Sequence, residues 1–431
     1  MKMRALQLGR LTLLTLAALV PVMLAKQGRD LKLLAALPLT ALAFAAAWPF
    51  ILRGGLRFNR GAATPLIAWI ASLAIAAGQP HSSTDEFVRQ SFFIGAFAAS
   101  VALFRPGDLR RLGVLWCLSF LWTGGYAVAQ RLGLDPVPEF RAFHSAARVF
   151  ATFGNPDFLG AHLAFLLPPA CALAFAAGRR ETRIAGWTVA GGIALVLYWT
   201  GSRGAWLGAA AGCSAWCVAT FGFARMRRAL PAAALTGIGL VAALSFAGGL
   251  RDTLARRTAR VDLWRGAGAL LRARPLAGWG LGAFPAEFPP FAPPVFAERM
   301  RRDNTFAEHP HSEYLHIAIE AGLPALGCFA WLISVILARG LALSRPGRSL
   351  PAAALGALAA VLVHVAVDRN FRLASTAVPF WLLAGALFAA PLRPAGRGLP
   401  RLLLAGLSLV PVALVGAAAY SLRPLLSSYR V

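Results

Sequence analysis

The sequence predicts an all-α protein that crosses a membrane many times. Of its 431 residues, 58% are hydrophobic and only 14% are charged, and the mean hydropathy is +0.63. A soluble domain carries about 25% charged residues. The apolar runs have roughly the 20 residues that cross a hydrocarbon core, and no long polar stretch remains for a second soluble core. We therefore expect about 12–13 transmembrane helices with one large periplasmic loop that carries short helices.

The apolar runs also predict how the chain is divided. The first run follows a basic Met1–Arg4 and could be a signal peptide, but no small-residue cleavage site precedes Lys26, which favours a retained helix. The predicted spans are Leu11–Ala25, Leu33–Leu52, Ala62–Ala77, Phe87–Phe104, Leu112–Ala129, Asp157–Ala177, Ile184–Thr200, Ala205–Phe223, Leu230–Leu250, Ser312–Ala338, Ala352–Val367, Leu373–Pro391 and Leu402–Tyr420. They group into N-terminal helices (1–145), central helices (146–250), a loop (251–311), C-terminal core helices (312–391) and an extra terminal helix (392–431).

Every second connection between these runs is basic. These seven connections carry three arginines or lysines each, from Lys2, Arg4 and Arg10 at the N-terminus to the set within 393–401. This positive-inside pattern predicts a cytoplasmic N-terminus. It also accounts for the net charge of +26 without nucleic acid as a partner. The other connections, including the long 251–311 loop, are predicted on the periplasmic side.

Several kinds of cofactor site are excluded by the residues present. All three lysines lie in the first 32 residues, so no later glycine-rich loop can be a P-loop. The chain has no HExxH motif, no EF-hand loop, no Asp-x-Asp and no CxxC pair. Gly278–Gly282 is interpreted as a turn rather than a dinucleotide loop because no strand precedes it. An enzyme with this sequence is expected to need no cofactor and to act on a pre-activated substrate.

The predicted outer loop begins with a helix. Val261, Trp264, Gly268 and Leu271 recur at helical spacing, and Pro275 ends the run. One guanidinium group can bind a phosphate through two parallel N–H···O hydrogen bonds, and it keeps its positive charge.

Two arginines of this helix, Arg256 and Arg260, are four residues apart and share one face. The cluster predicts either a phosphate-rich ligand or contact with lipid headgroups.

The loop ends in a polar segment. Phe288–Val295 is rich in proline and predicted to be extended, and a short helix is predicted near Phe296–Asn304. Glu308-His-Pro-His-Ser-Glu313 then leads into a span. A histidine at this position can act as a general base, since its unperturbed pKa is about 6.5. Two alternatives stay open: His309 and His311 holding a metal with Glu308 or Glu313, and plain helix capping.

Arg203 lies between two spans with almost no loop. Thr200-Gly-Ser-Arg-Gly-Ala205 places it at the outer membrane boundary, between glycines that let a ligand approach the backbone. A charge at this depth is costly and is often functional. The alternative is an arginine that reaches out to the membrane interface.

These motifs occur in an order that resembles the O-antigen ligase and Wzy-type polymerase superfamily of bacterial membrane glycan ligases. The stretches that carry the resemblance are Phe153-Gly-Asn-Pro-Asp-Phe-Leu-Gly160, Gly201-Ser-Arg-Gly204, Arg260-Val-Asp-Leu-Trp264 through Pro275-Leu-Ala-Gly-Trp-Gly280, and His311-Ser-Glu-Tyr-Leu315 through Glu320-Ala-Gly322. His364–Trp381, with Asp368, resembles the late helices of that family. The resemblance covers roughly Arg148 to Leu387.

The resemblance implies a glycan donor on undecaprenyl diphosphate and an acceptor such as lipid A–core, reached from the periplasm among membrane lipids. It implies catalytic roles for Arg203, Arg260 and His311, with both arginines also binding the diphosphate. Arg265 competes for the loop position, and Arg256 and Asn155 are further candidate ligands of the diphosphate or glycan. Where the family usually has asparagine, this chain has Ser312 and Asp157, so the resemblance leaves the identity of the acceptor open.

Other functions remain open at this point. The acceptor could be another lipid-linked glycan, as in a polymerase, or a protein hydroxyl, as in an O-linked oligosaccharyltransferase. A flippase or transporter of lipid-linked glycan should carry charges along a path through the membrane. Most charge outside the cytoplasmic connections lies on the predicted outer face, with few candidates such as His162 and Glu320 inside spans. An enzyme is therefore favoured over a transporter.

Overall fold

A computed structural model of the protein describes residues 2–23, 60–135, 148–222, 250–344 and 349–389, together with residues 39, 40, 42, 43, 46 and 137. Within these ranges the secondary structure is helical, without strands. The α-helices are α1 (Lys2–Val22), α2 (Arg60–Ala77), α3 (Thr84–Leu103), α4 (Asp108–Arg131), α5 (Pro156–Phe175), α6 (Arg180–Thr200), α7 (Arg203–Phe221), α8 (Leu250–Ala273), α9 (Phe284–Glu287), α10 (Pro294–Arg302), α11 (Glu313–Leu343), α12 (Ser349–His364) and α13 (Ala374–Ala389).

Length and composition confirm a polytopic all-α membrane protein. In the described part of the chain, five helices are long and apolar enough to cross a membrane, namely α1, α4, α5, α7 and α11. Shorter apolar helices lie within α2, α3, α12 and α13. Almost all of the predicted spans at 33–52 and 230–250, and all of the one at 402–420, lie outside the described residues.

The helices pack in pairs around α12. Helix α12 lies against α7 and α5, while α2 packs on α11, α3 on α13 and α1 on α4. Two polar contacts join α1 to α4. The indole Nε1 of Trp116 donates to the Ala17 carbonyl at 3.1 Å, and Arg10 forms a bidentate ion pair with buried Asp108 at 2.6 and 2.7 Å. Such polar contacts add specificity where lipid removes the hydrophobic drive between helices.

The predicted loop helices are present, with one correction. Helix α8 ends at Ala273, two residues before Pro275, and α10 confirms the short polar helix. The stretch Phe288–Val295 is not extended throughout as predicted, because Pro289–Phe291 forms a 3-10 turn directly after α9. Proline's fixed φ near −65° suits the first turn of a helix as well as an extended chain. The turn at 278–282 is confirmed by positive φ angles at its three glycines.

Helix α11 is broken at Gly322, where the loop crosses it. Gly322 has φ +87°, and a Cβ there would collide with the Leu276 carbonyl. Three backbone hydrogen bonds join the two crossing segments: Leu323 N–H to Pro275 C=O (2.8 Å), Trp279 N–H to Ile319 C=O (3.0 Å) and Gly280 N–H to Glu320 C=O (2.9 Å). The segments 275–280 and 320–322 are therefore packed and hydrogen-bonded to each other, although 40 residues separate them in the chain.

Candidate active site

Arg203 begins helix α7 after a tight turn that is held by Arg148, which lies in the connection before α5. Gly201 has φ +61°, which favours glycine, and a Cβ there would lie 3.2 Å from Nε of Arg148. Arg148 donates from Nε to the Thr200 carbonyl at 2.6 Å and pairs through Nη2 with Asp157 Oδ1 at 2.9 Å. This contact anchors the turn to the start of α5, while the Arg203 side chain is exposed.

A seam of glycines brings the start of α7 against the end of α12. The Cβ positions of Gly208 and Gly212 would lie 2.6 Å from the carbonyl oxygens of Ala360 and Gly356, so the two backbones touch. Small residues permit this approach between membrane helices. At the top of the seam, a Cβ on Gly204 would lie 2.9 Å from Cδ2 of His364. The residue beside Arg203 therefore contacts the imidazole at the end of α12.

This seam predicts unequal effects for two glycine substitutions. Gly208→Ala is expected to lower the stability of the detergent-solubilised protein by about 1–3 kcal/mol, because its methyl group would overlap the Ala360 carbonyl. Gly191→Ala on α6 is the matched control, since its added Cβ meets nothing within 4 Å. Thermal unfolding of both variants measures the difference. Equal melting temperatures would contradict the seam.

His364 is the hub of a buried polar group at the end of α12. Its Nδ1 lies 3.1 Å from Nδ2 of Asn370, which also lies 3.2 Å from the Asp157 carbonyl oxygen at the start of α5. Its Nε2 lies 3.9 Å from Oδ2 of Asp368. Asn370 and Asp368 belong to the short connection between α12 and α13. The end of α12 thus joins that connection to α5 and α7.

Asp368 also faces His311. The Nδ1 atom of His311 lies 3.9 Å from Oδ1 of Asp368, whose side chain is only 9% exposed, whereas the His311 side chain is 45% exposed. Burial disfavours the charged carboxylate, but His311, His364 and the backbone N–H of Arg369 at 2.7 Å lower the pKa of Asp368 below its ordinary value. A buried, ionised carboxylate beside a half-exposed imidazole can orient the ring and stabilise its protonated form.

The backbone at His311 is held in an uncommon conformation. His311 has φ +48° immediately before Ser312 caps helix α11. The preceding Pro310 carbonyl accepts a hydrogen bond of 2.7 Å from the Trp264 indole on α8. A left-handed non-glycine residue in such surroundings is typical of functional sites. Trp264 ties the loop helix to the His311 segment.

The candidate arginines of α8 differ in their surroundings. Arg260 is exposed and lies within electrostatic range of His364. Arg265, the competing choice, pairs with Asp262 at 3.2 Å one turn away. Arg256 lies on the same helix, but its side chain is outside the described residues. Of the two loop candidates whose side chains the structure describes, Arg260 is therefore the one whose charge acts on His364.

Asn155 occupies a capping position. Its side-chain oxygen accepts a hydrogen bond of 2.8 Å from the Asp157 N–H and so caps α5. The structure gives Asn155 this local contact, and its predicted contact with substrate stays a prediction.

His309 differs from His311 although only Pro310 separates them. Burial, and then the cations Arg369 and Arg372, lower the pKa of His309 below its ordinary value. Its ring lies 5.4 Å from that of His316, on the protein side of the segment. Of the two, His311 is the histidine that opens to solvent. In the part of the chain that the structure describes, no group of three or more His, Cys, Asp or Glu side chains is placed to hold a metal ion.

Sequence reasoning assigned no role in this site to His364, Asp368 or Arg148, although the resemblance included Asp368. His364 and Asp368 are four residues apart across the end of a helix, a spacing that puts two side chains on one face, and this was the available signal for His364. Nothing in the sequence signals that Arg148 reaches the Gly201 turn, since that contact joins residues 52 apart.

The comparisons with known proteins identify the central part of the chain. Residues 188–330 match the O-antigen ligase family model, Wzy_C. No curated protein matches the chain. The matched region includes Arg203, Arg260, His311 and the α11 break, while Asn155 and Asp368 lie outside it. The predicted resemblance is thereby confirmed for this region: residues 188–330 of this membrane protein are similar to the O-antigen ligase family.

Proposed function

We propose that the protein is an inner-membrane enzyme that moves a glycan from undecaprenyl diphosphate to an acceptor hydroxyl, lipid A–core, on the periplasmic face. The family domain supports a membrane glycan function of the ligase or polymerase type. The observation that carries the finer proposal is the geometry at the end of α12. There His364 contacts the start of α7 and adjoins Asp368, Asp368 faces His311, and the charge of Arg260 on α8 acts on His364.

The proposed chemistry assigns the two arginines to the leaving group. The bond between the anomeric carbon and the diphosphate oxygen breaks, and negative charge develops on the diphosphate. Arg203 and Arg260 bind its oxygens through paired N–H groups. Both side chains are exposed, which supports their access to a ligand that arrives from the membrane.

His311 acts as the general base in this scheme. It removes the proton from the acceptor hydroxyl as the new glycosidic bond forms, and undecaprenyl diphosphate leaves. Asp368 holds the imidazole in orientation and balances the charge that it gains. Support comes from the 3.9 Å separation of the two side chains and from the pKa of Asp368, which is held low.

The identity of the acceptor distinguishes the proposed function from the alternative functions. A polymerase would use another lipid-linked glycan, an oligosaccharyltransferase a protein hydroxyl, and a flippase or transporter would modify nothing. The deciding experiment incubates purified protein with lipid-linked glycan and each acceptor, and follows which acceptor gains the mass of the glycan. Mass gain on lipid A–core alone supports the proposal, and gain on another acceptor, or none, rejects it.

The orientation makes a separate prediction. Since basic residues alternate between connections, residues 340–351 are expected in the cytoplasm and residues 251–311 in the periplasm. In a cysteine-free background, an impermeant maleimide added from outside should label Ala286→Cys but not Ser344→Cys. Labelling of Ser344→Cys alone would reverse the orientation.

The proposed reaction needs no added metal or nucleotide. The donor is already activated and the chain lacks nucleotide-binding motifs, so turnover is expected to be unchanged in EDTA without ATP. The same assay measures it, with and without chelator. Turnover that is lost in EDTA and restored by one divalent ion would instead support a metal at His309 and His311.

A further inference from the structure

Arg372 is a buried arginine that contacts three carboxylates from different parts of the chain. Its side chain is 6% exposed. The three ion pairs run from Nη1 to Glu86 Oε1 at 2.9 Å, from Nε to Glu313 Oε1 at 3.2 Å and from Nη2 to Glu320 Oε2 at 2.8 Å. Burial disfavours the charge on Arg372, but Glu320, Glu86 and Glu313 raise its pKa above the ordinary value. The guanidinium is therefore a permanent cation.

The three carboxylates come from the elements that surround the candidate site. Glu86 lies in the first turn of α3, where Arg89 and Gln90 also hold it at 2.6 and 2.8 Å. Glu313 is the first residue of α11, and Glu320 lies two residues before the break at Gly322. One side chain thus fixes α3, the start of α11 and the break in α11 to the connection between α12 and α13.

The chain distances from this cluster to the proposed base pair are short. Glu313 follows His311 by two residues, and Arg372 follows Asp368 by four. The backbone adds a second tie, because the Glu313 N–H donates to the Val365 carbonyl at 2.9 Å. The Arg372–Glu313 pair therefore spans the same two segments as the His311–Asp368 pair.

We infer that Arg372 is a positioning residue, which sets the distance between His311 and Asp368 by clamping the start of α11 to the α12–α13 connection through Glu313. The inference rests on the proposed function and adds a residue that touches neither substrate nor base. A stability role alone would make the loss of turnover follow the loss of unfolding free energy, whichever of the three carboxylates is changed. Positioning makes Glu313 matter most, because it alone is adjacent to the base.

The test compares Glu313→Gln with Glu86→Gln in the full-length protein, and uses Glu298→Gln on exposed α10 as a neutral control. Glu313→Gln is expected to lower kcat about tenfold, the loss of one charge-assisted contact, with KM for the lipid-linked donor within about threefold. Glu86→Gln should lose less turnover, since Glu86 does not adjoin His311. Thermal unfolding shows how much stability each variant has lost.

A second readout does not depend on activity. Diethyl pyrocarbonate modifies accessible imidazoles, and peptide mass analysis gives the rate at His311, with exposed His81 as internal reference. Glu313→Gln should change the rate at His311, and Glu86→Gln should leave it unchanged. If Glu313→Gln does not fold, Arg372→Lys replaces it as the test variant. The compact ammonium group of lysine cannot reproduce the planar geometry in which the guanidinium contacts all three carboxylates.

The outcomes separate the inference from the proposed function. Wild-type kcat and wild-type His311 reactivity in a folded Glu313→Gln or Arg372→Lys protein would overturn the inference. Equal losses of turnover in Glu313→Gln and Glu86→Gln would also overturn it. A wild-type protein that transfers no glycan, combined with altered His311 reactivity in Glu313→Gln, would reject the proposed function and keep the positioning role.

Discussion

Arg203→Lys is expected to lower turnover by about 10²–10³-fold, the usual effect of removing one donor from a developing negative charge. Lysine keeps the positive charge, but its single ammonium cannot present the two parallel N–H groups of a guanidinium. The start of α7 should persist, because Arg148 and the glycine seam hold the turn. Glycan transfer by the purified variant, with thermal unfolding as the check on folding, measures the effect.

Two further variants test whether the loss of turnover in Arg203→Lys is specific to the proposed diphosphate site. Arg260→Lys should show a loss of the same order if both guanidinium groups bind one diphosphate. Arg301→Lys is the matched control, because Arg301 is also an exposed loop arginine but pairs with Glu298 on α10. Full activity in Arg203→Ala would remove Arg203 from the site, and equal losses in Arg203→Lys and Arg301→Lys would point to a general effect of surface charge.

Within the part of the chain that the structure describes, the sequence predicted the helices well, because each span and loop helix leaves a local pattern. Apolar runs of membrane length, and a proline just beyond α8, are visible in neighbouring residues. The motif order also predicted which arginines and which histidine to examine. The Pro-rich stretch at 288–295 was misassigned because proline's φ is compatible with both a helical turn and an extended chain.

The polar contacts of the site were harder to predict because they join distant residues. Arg372 reaches Glu86 across 286 positions, and no local pattern indicates that pairing. Glu320 was visible as a charge inside a span, which predicts a partner without identifying it. The glycines at 204, 208 and 212 are readable as a small-residue seam, but their partner α12 follows only from the packed structure.

His311→Ala is expected to lower kcat by about 10²–10⁴-fold, the contribution of a positioned general base. Donor KM should change little, because the assigned role of His311 is to take the acceptor proton and not to bind the diphosphate. Asp368→Asn should lower kcat in the same direction, since an amide cannot balance the charge on the imidazole that it faces at 3.9 Å. Steady-state kinetics with varied donor separates kcat from KM in each variant.

His309→Ala is the matched control for His311→Ala. The two histidines flank Pro310, but the pKa of His309 is held low and its ring lies against His316. His309→Ala is expected to alter stability more than kcat. A His311→Ala variant that raises donor KM while keeping kcat would assign the imidazole to donor binding. The transfer reaction would then need another group to accept the proton of the acceptor hydroxyl. An equal fall in kcat on His309→Ala would make His309 the first candidate for that group.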